Sequence, residues 1–180
     1  MEPTLNHIEK TKSTKDARIL IAGAGCTTLV DHLLVQGYKN IIATDISRVA
    51  LHNLEARIEE EIEVIVDDLT RPSKLNNMIP VDLWIDRAVL HFFTNENALN
   101  SYFDLLKRKV INNGFVLLAE YNLNGAASCS GLPVRRYNAK MLGEKLGKDF
   151  KLVDSFENNF IMPSGAERPF IYTLFNKINY

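Results

Sequence analysis

The fold is decided at residues 18–25, which read RILIAGAG. After Arg18 the stretch is apolar and has the length of a strand, and it runs directly into a turn that contains two glycines. A helical pattern follows the turn and ends at Gly37, a residue type favoured just beyond a helix C-terminus. A strand that passes through a glycine turn into a helix is typical of the first unit of a parallel α/β sheet.

The alternation of strands and helices continues along the rest of the chain. The last two strands, Phe150–Phe156 and Phe170–Phe175, are separated by a loop too short for a helical crossover, so we expect them to pair antiparallel. The predicted fold is α/β: a Rossmann-like three-layer sandwich around a seven-stranded, mostly parallel sheet with an antiparallel C-terminal strand. The other predicted elements are strands at Ile41–Thr44, Ile62–Val66, Val81–Ile85 and Phe115–Glu120, and helices from Ser47 onward, over Ala98–Val110 and over Ala139–Leu146.

Length and composition favour a single globular domain. The 180 residues can form one substantial core, which we assign to residues 18–180, after a polar N-terminal segment at residues 1–17. Hydrophobic residues make up 46% of the chain and charged residues 24%, which is the balance of a soluble protein. The apolar stretches are too short to cross a bilayer, and the N-terminus has no apolar centre like that of a secretion signal. We therefore expect a cytoplasmic protein without a membrane partner.

Charge and cysteine usage argue against two further classes of partner. The formal net charge is −1 with basic and acidic residues interspersed, so no broad positive surface is available for a nucleic acid. The two cysteines, Cys26 and Cys129, belong to no CxxC pair and to no His/Cys cluster. The sequence therefore predicts neither a disulfide framework nor a metal site.

Glycines or aspartates follow four successive predicted strands. Gly23 and Gly25 follow the first strand, Asp45 the second, Asp68 the third and Asp86 the fourth. The carboxyl ends of parallel strands meet at one edge of the sheet, where ligands bind. Glycine lets a ligand lie directly on the backbone, and an acid about 20 residues beyond the first glycine accepts hydrogen bonds from both ribose hydroxyls. The pattern predicts a nucleoside site.

The other strand-end residues have candidate roles in the same site. Asp68 can accept a hydrogen bond from an adenine amino group, Leu69 offers a backbone donor and an apolar face, and Asp86 can hold a cationic amino group. The alternative is that these glycines and aspartates only form tight turns. A dinucleotide is less favoured, because Thr28 stands where that pattern requires a small residue.

Five further motifs carry a resemblance to a known family. They are LVDHLL at 29–34, DIS at 45–47, DRAVLHF at 86–92, CSGLPV at 129–134 followed by Arg136 and Tyr137, and PSG at 163–165. With these motifs the chain resembles the small class I S-adenosylmethionine-dependent methyltransferases over about residues 18–175. The resemblance implies S-adenosylmethionine as the cofactor. It also implies cofactor contacts at Gly23, Gly25, Asp45, Asp68 and Leu69, and we add Ala22, Ala24, Ile46 and Asp86 to that set.

Two features depart from the family pattern. Ile21 stands in the first strand where relatives usually carry an acid that holds the methionine amino group, and Ala24 stands where glycine is frequent. Relatives also usually have a longer N-terminal region, with aromatic residues that close over the cofactor, whereas about 17 polar residues precede the first strand here. These departures favour a weakened cofactor site or one that depends on Asp86.

The candidate residues for methyl transfer lie in the loops after the fourth and fifth predicted strands. Asp86 and His91 are the catalytic candidates, because both can orient or deprotonate an acceptor; His91 can equally be a core histidine beside Phe92. Cys129 can equally be a packed small residue, and Arg87 a salt-bridge partner. The candidate acceptor-binding residues are Arg87, Cys129, Arg135, Arg136 and Tyr137.

The sequence thus predicts an S-adenosylmethionine-dependent methyltransferase whose acceptor is a small molecule or a protein side chain. Two other classes stay open. One is a nucleoside-binding domain without catalysis, which the departures from the family favour. The other is a nicotinamide oxidoreductase, which NAD would protect in thermal melts.

Overall fold

The computed structural model describes residues 2–25, 27–162, 165 and 167–178, and within them five α-helices and nine strands are formed. Two short 3₁₀ turns lie at Leu75–Asn77 and Leu90–Phe92. The helices are α1 (Glu2–Lys10), α2 (Leu29–Val35), α3 (Arg48–Glu55), α4 (Glu96–Lys109) and α5 (Ala139–Leu146). The strands are β1 (Arg18–Ala22), β2 (Asn40–Asp45), β3 (Glu63–Val66), β4 (Val81–Arg87), β5 (Val110–Tyr121), β6 (Ser128–Cys129), β7 (Leu132–Pro133), β8 (Phe150–Ile161) and β9 (Glu167–Lys177).

Seven of the strands form one sheet in the order β3-β2-β1-β4-β5-β9-β8. Neighbours from β3 to β5 pair in parallel, whereas β9 runs antiparallel to both β5 and β8. The predicted seven-stranded, mostly parallel sheet with an antiparallel C-terminal strand is therefore confirmed. β6 and β7 form a separate small hairpin inside the segment predicted as a loop.

The sheet has a hydrophobic core on each face, so the fold has three layers. We call the side covered by α1, α2 and α3 the α2 face; Ile21 and Ile85 point into its core. The other side, covered by α4 and α5, is the α4 face, and Trp84 and Tyr102 are completely buried there. Because successive strand residues alternate between faces, each strand end presents one side chain to each core.

The polar N-terminal segment contains a helix that the sequence did not predict, because residues 2–10 form α1. Its buried His7 places Nε2 3.0 Å from Oδ2 of Asp154 on β8, and the ring packs on Phe156 with the ring centres 4.8 Å apart. Ile8 joins the core of the α2 face. This docking depends on contacts between residues almost 150 positions apart, so local periodicity in a polar nonapeptide did not predict it.

The helix starts follow local capping chemistry. Ser47 begins α3 as predicted, and its hydroxyl accepts a hydrogen bond from the backbone N–H of Ala50. α4 begins earlier than the predicted Ala98, because Asn95 accepts from the backbone N–H groups of Asn97 and Ala98. Both helices begin at the edge where the parallel strands end, since α3 follows β2 and α4 follows β4.

Candidate functional site

The strand register brings the predicted site residues to one edge of the sheet. Ala22 at the end of β1 pairs with Thr44 on one side and with Asp86 on the other. Asp45, at the end of β2, pairs with Val66 at the end of β3. The glycine turn and the strand-end acids therefore start from neighbouring positions, as the sequence predicts.

A crevice runs along this edge in two halves that meet at Gly23. We call them the Arg87 half, about 260 Å³ in volume, and the Asp45 half, about 270 Å³. The Arg87 half is lined by Ile21, Ala22, Gly23, Ala24, Gly25, Thr27, Leu29, Ile85 and Arg87. The Asp45 half is lined by Gly23, Asp45, Ile46, Asp67, Asp68, Leu69, Val89, Phe92 and Phe93.

The two glycines of the turn are required for different reasons. Both have positive φ, +61° at Gly23 and +46° at Gly25, where a side chain is strained. A Cβ at Gly23 would lie 2.0 Å from Cγ2 of Val89, so the absence of a side chain here leaves room for the loop after β4. A Cβ at Gly25 would lie 3.4 Å from Oδ2 of Asp45, so this glycine keeps the space beside that carboxylate open.

Asp45 has one oxygen fixed by the protein and one available to a ligand. Oδ1 accepts a hydrogen bond of 2.8 Å from the backbone N–H of Ser47. Oδ2 accepts no hydrogen bond within the described part of the chain, although the residue is half-buried in the crevice wall. Ile46 next to it is 72% exposed. An ordered carboxylate with a free oxygen beside an exposed apolar side chain suits the hydroxyls and ring of a nucleoside.

Asp67 and Asp68 have different roles: Asp67 holds the loop that follows β3, and Asp68 is an acceptor in the crevice wall. Asp67 shapes the following loop by accepting hydrogen bonds from the backbone N–H groups of Ser73 and Leu75, both at 2.9 Å. Asp68 accepts from the N–H and the hydroxyl of Thr70 through Oδ1. Burial raises the pKa of Asp68, but the Thr70 hydrogen bonds and the charge of Arg71 outweigh it and hold that pKa below its ordinary value. Asp68 is thus an ionised acceptor in the crevice wall.

The structure does not bring Asp86 to the crevice. Its side chain is fully buried on the α4 face, where Oδ2 accepts from the hydroxyl of Tyr102 at 2.7 Å and Oδ1 from the backbone N–H of Val89 at 3.0 Å. Tyr102 in turn accepts from Nε1 of Trp84 at 3.2 Å. Both carboxyl oxygens are therefore engaged by the protein, and this arrangement offers no direct contact with a ligand's amino group.

Burial also removes His91 from the solvent. Its Nδ1 lies 2.8 Å from Oε2 of Glu120, its backbone N–H donates to the same oxygen at 3.1 Å, and its ring stacks on Tyr121. Burial lowers the pKa of His91 to about 4 and raises the pKa of Glu120 to about 8. The fully buried Glu120 also neighbours Asp86, and burial followed by the charge of Glu120 raises the pKa of Asp86 well above its ordinary value. We call Asp86, Glu120, His91 and Tyr102 the acid cluster.

Glu120 was not among the predicted site residues. The signal that could have found it is an acid directly after the apolar run VLLA at residues 116–119, at the end of the fifth parallel strand. Val89, Phe92 and Phe93 of the crevice wall were also missed. They lie in the loop after β4, and an aromatic pair in the loop that follows a strand-end acid is the corresponding sequence signal.

The acid cluster anchors the loop after β4. Ala88 has a φ of +70°, an uncommon value for a residue with a side chain, and this turn sends the chain back over the end of the strand. The carboxyl groups of Asp86 and Glu120 then accept backbone N–H groups from residues 89–91. The loop that supplies Val89 and both phenylalanines to the crevice is therefore fixed from behind.

Of the predicted acceptor-binding residues, only Arg87 lines the crevice within the described part of the chain. Cys129 is half-buried on the β6–β7 hairpin near Tyr121. Arg135 pairs with Glu96 at the start of α4. The remaining two lie apart from the crevice as well: the exposed Arg136 donates to the carbonyls of Leu123 and Gly125, and Tyr137 is buried. The structure thus does not bring the predicted acceptor set together.

Two further observations bear on the predicted partners. Within the described residues, no group of three or more His, Cys, Asp or Glu side chains is placed to hold a metal ion. No helix in the part of the chain that the structure covers combines the length and the apolar character needed to span a bilayer.

The fold is similar to solved structures of methyltransferases, although no protein-family model and no curated protein sequence matches the chain. An S-adenosylmethionine-dependent methyltransferase from Methanosarcina mazei is 15% identical, with a TM-score of 0.78 and 96% of this chain and 98% of that chain covered. The N-methyltransferase NodS from Bradyrhizobium japonicum, in complex with S-adenosylhomocysteine, is 13% identical, with a TM-score of 0.75 and coverages of 99% and 87%.

A third similar structure contains a small-molecule acceptor. It is the 1,6-didemethyltoxoflavin-N1-methyltransferase from Burkholderia thailandensis with bound 1,6-didemethyltoxoflavin and S-adenosylhomocysteine, 19% identical, with a TM-score of 0.71 and coverages of 91% and 72%. Identities this low show the fold alone. This chain has the class I methyltransferase fold that the sequence predicted.

Proposed function

We propose that this protein binds S-adenosylmethionine in the crevice and transfers the methyl group to a small molecule. The observation that carries the proposal is the free Oδ2 of Asp45, ordered beside Gly25 and in one wall with Asp68 and Leu69. The fold of the similar structures agrees with it, and two of those structures contain S-adenosylhomocysteine.

The Asp45 half has the chemistry to hold the adenosine. The Asp45 carboxylate would accept the ribose hydroxyls, and Asp68 would accept the adenine amino group. Ile46 and Leu69 provide apolar surface for the ring. The glycine turn leaves room for the ligand to pass from this half to the Arg87 half, because Gly23 lines both.

S-adenosylmethionine supplies an activated methyl group, so the protein chiefly has to align the acceptor and exclude water. Val89, Phe92 and Phe93 form an apolar wall suited to that exclusion. In this proposal Asp86 and Glu120 act as positioning residues, since they hold the loop that carries this wall. The catalytic role predicted for His91 would require access that its buried ring lacks in this structure.

We choose a small acceptor over a protein side chain on the similarity of the fold, because the cofactor itself occupies both halves of the crevice in this proposal. The acceptor named for one similar structure, 1,6-didemethyltoxoflavin, is of this kind.

Binding of S-adenosylhomocysteine, measured by calorimetry, tests the cofactor. We expect Asp45→Asn to weaken it about tenfold, because the ribose hydroxyls lose a charged acceptor while the acceptor for the Ser47 N–H is retained. Asp16→Asn, which makes the same charge change at an exposed residue before β1, should have no effect. An unchanged dissociation constant in Asp45→Asn would remove Asp45 from the site.

Two measurements separate an enzyme from a binding domain and from an oxidoreductase. Transfer of a labelled methyl group from S-adenosylmethionine into a metabolite extract, lost in Asp45→Asn, identifies the enzyme. Binding without any transfer identifies a nucleoside-binding domain. Thermal protection by NAD and none by S-adenosylhomocysteine would contradict the proposal altogether.

A further inference from the structure

The Arg87 half of the crevice carries a positive charge and no acid. Of the described residues that line it, Arg87 is the only one with a charged side chain, and the rest are apolar residues, glycines and Thr27. A carboxylate would be needed there to balance the cation. The described part of the wall contains none.

The position of Arg87 follows from the strand register. Ile21 on β1 pairs with Ile85 on β4, and Arg87 is the next residue of β4 on the same α2 face. Across the sheet, Arg87 pairs with Ala119, which pairs with Tyr172. Because Ala119 is small, the arginine can reach over it, and its Nε donates to the hydroxyl of Tyr172 at 3.4 Å.

Aromatic rings hold the guanidinium without neutralising it. Its central carbon lies 5.5 Å from the ring centre of Phe160 and 5.7 Å from that of Phe170, distances at which a cation is attracted to a ring. Arg87 has no ion pair among residues 2–25, 27–162, 165 and 167–178. An arginine fixed through Nε has its terminal nitrogens available for a planar, bidentate contact.

Asp45 lies on the far side of Gly25, in the wall of the other half, and two acids on the elements that border the Arg87 half are committed elsewhere. Asp86 lies on the opposite face of the sheet within the acid cluster. Asp31, in the first turn of α2, is paired with Arg57 at 2.8 Å, and Arg57 also donates to the carbonyl of Thr27. The Arg87 half therefore has a positive balance.

We propose that Arg87 binds the carboxylate at the end of the ligand's tail, so that this half of the crevice selects an anionic tail over a cationic one. The inference rests on the proposed function, because it takes the adenosine to lie in the Asp45 half. The tail of S-adenosylhomocysteine bears both a carboxylate and an ammonium group. In this site the carboxylate meets the guanidinium, while the ammonium meets no acidic side chain among the described lining residues.

Three ligands separate the two charges. S-adenosylhomocysteine carries both groups, 5′-deoxy-5′-(3-carboxypropylthio)adenosine keeps only the carboxylate, and 5′-deoxy-5′-(3-aminopropylthio)adenosine keeps only the amine. With the wild-type protein in calorimetry, we expect the carboxylate-only ligand to bind within about threefold of S-adenosylhomocysteine and the amine-only ligand at least about tenfold more weakly.

A charge-removing variant assigns that preference to Arg87. Arg87→Gln should weaken the two carboxylate-bearing ligands about tenfold and leave the amine-only ligand unchanged or slightly tighter. Arg87→Lys should fall between the two, because a lysine keeps the charge and loses the bidentate geometry. Arg108→Gln is the matched control: it removes the same charge from an exposed residue of α4 at the opposite edge, and it should alter no affinity.

Each contrary result has a defined meaning. The inference is overturned if the amine-only ligand binds wild type as well as the carboxylate-only ligand does, or if Arg87→Gln weakens all three ligands equally. It is also overturned if Arg87→Gln changes only the KM for a methyl acceptor, which would assign the arginine to the acceptor. If S-adenosylhomocysteine itself does not bind, the proposed function fails. The comparison of ligands on wild type needs no variant to fold.

Discussion

Asp86 and Arg87 are consecutive residues at the end of β4, yet their surroundings share almost nothing. Asp86 points to the α4 face, where it is fully buried and accepts hydrogen bonds from Tyr102 and Val89. Arg87 points to the α2 face, lines the crevice and has no ion pair within the described residues. Side chains alternate between the two faces of a strand, so these two neighbouring charged residues point to opposite sides of the sheet. They therefore have different roles.

The comparison also shows how the two sides cooperate. The buried acids on the α4 face hold the loop after β4 by its backbone N–H groups, and that loop supplies Val89 to the crevice on the other side of Gly23. The buried acid cluster thus positions one wall of the ligand site. We expect Asp86 to govern the stability of the fold and Arg87 to govern ligand binding, and variants on the two faces of the sheet test this division.

The largest effect is expected from Asp86→Ala. The variant leaves a cavity and removes the acceptor for the Tyr102 hydroxyl and the Val89 N–H, so the free energy of unfolding should fall by about 3 kcal/mol. Urea unfolding followed by circular dichroism measures this. Asp104→Ala, at an exposed position of α4, should stay within about 0.5 kcal/mol of wild type. A loss of that small size in Asp86→Ala would mean that the acid cluster does not support the fold.

The next effect is a pH dependence of stability caused by Glu120. Burial raises the pKa of Glu120 to about 8, so the folded state keeps a proton that the unfolded state loses near its ordinary pKa of 4.5. The contribution of Glu120 to the free energy of unfolding is therefore fully present below pH 4.5 and is lost as the pH rises through 8. His91 acts oppositely, but only below pH 6.5, because burial lowers its pKa to about 4 and its contribution is lost as pH falls.

Between pH 6.5 and 8 the Glu120 effect should dominate. We expect the free energy of unfolding to rise by about 1 kcal/mol per pH unit as the pH is lowered across this interval. Glu120→Gln should make the dependence shallower, while Asp86, whose pKa is also raised, retains part of it. Glu157→Gln, at an exposed position of β8, should keep the wild-type slope. An identical slope in Glu120→Gln would show that Glu120 does not titrate in this range.

The smallest effect concerns the support of Arg87. Tyr172→Phe removes the hydroxyl that accepts from Nε of Arg87 and keeps the ring that stacks on Phe156. The affinity for S-adenosylhomocysteine should fall about twofold to threefold, because the guanidinium is less well fixed, and stability should change by less than about 1 kcal/mol. If Tyr172→Phe instead lowers the free energy of unfolding as much as Asp86→Ala does, Tyr172 mainly supports the fold and not the binding of the ligand.

Much of the fold could be predicted from the sequence because its determinants are local. The apolar strand before Gly23, the serine cap at Ser47 and the short connection between β8 and β9 each act within a few residues. The crevice positions of Gly23, Asp45 and Asp68 could be predicted as well, since parallel strands end at one edge. Their ligand contacts stay predictions until binding is measured.

The roles of the later residues could not be predicted in the same way. Asp86 and His91 looked like catalytic candidates, because a sequence shows titratable groups but not what covers them. Arg135 looked like an acceptor contact, but it pairs with Glu96, which lies far away in sequence. In each case a side chain from a distant element decides whether the charge meets solvent, ligand or another charge.

The sequence by itself determined the order of strands and helices, the glycine turn and the row of strand-end acids, because backbone preference and hydrophobic period act over short distances. Only the tertiary structure decided that α1 docks through His7 and Asp154, that Asp86 is sealed by Tyr102, and that Arg87 is left facing the crevice. The physical reason is that burial and charge pairing depend on which distant residues the packed layers bring together.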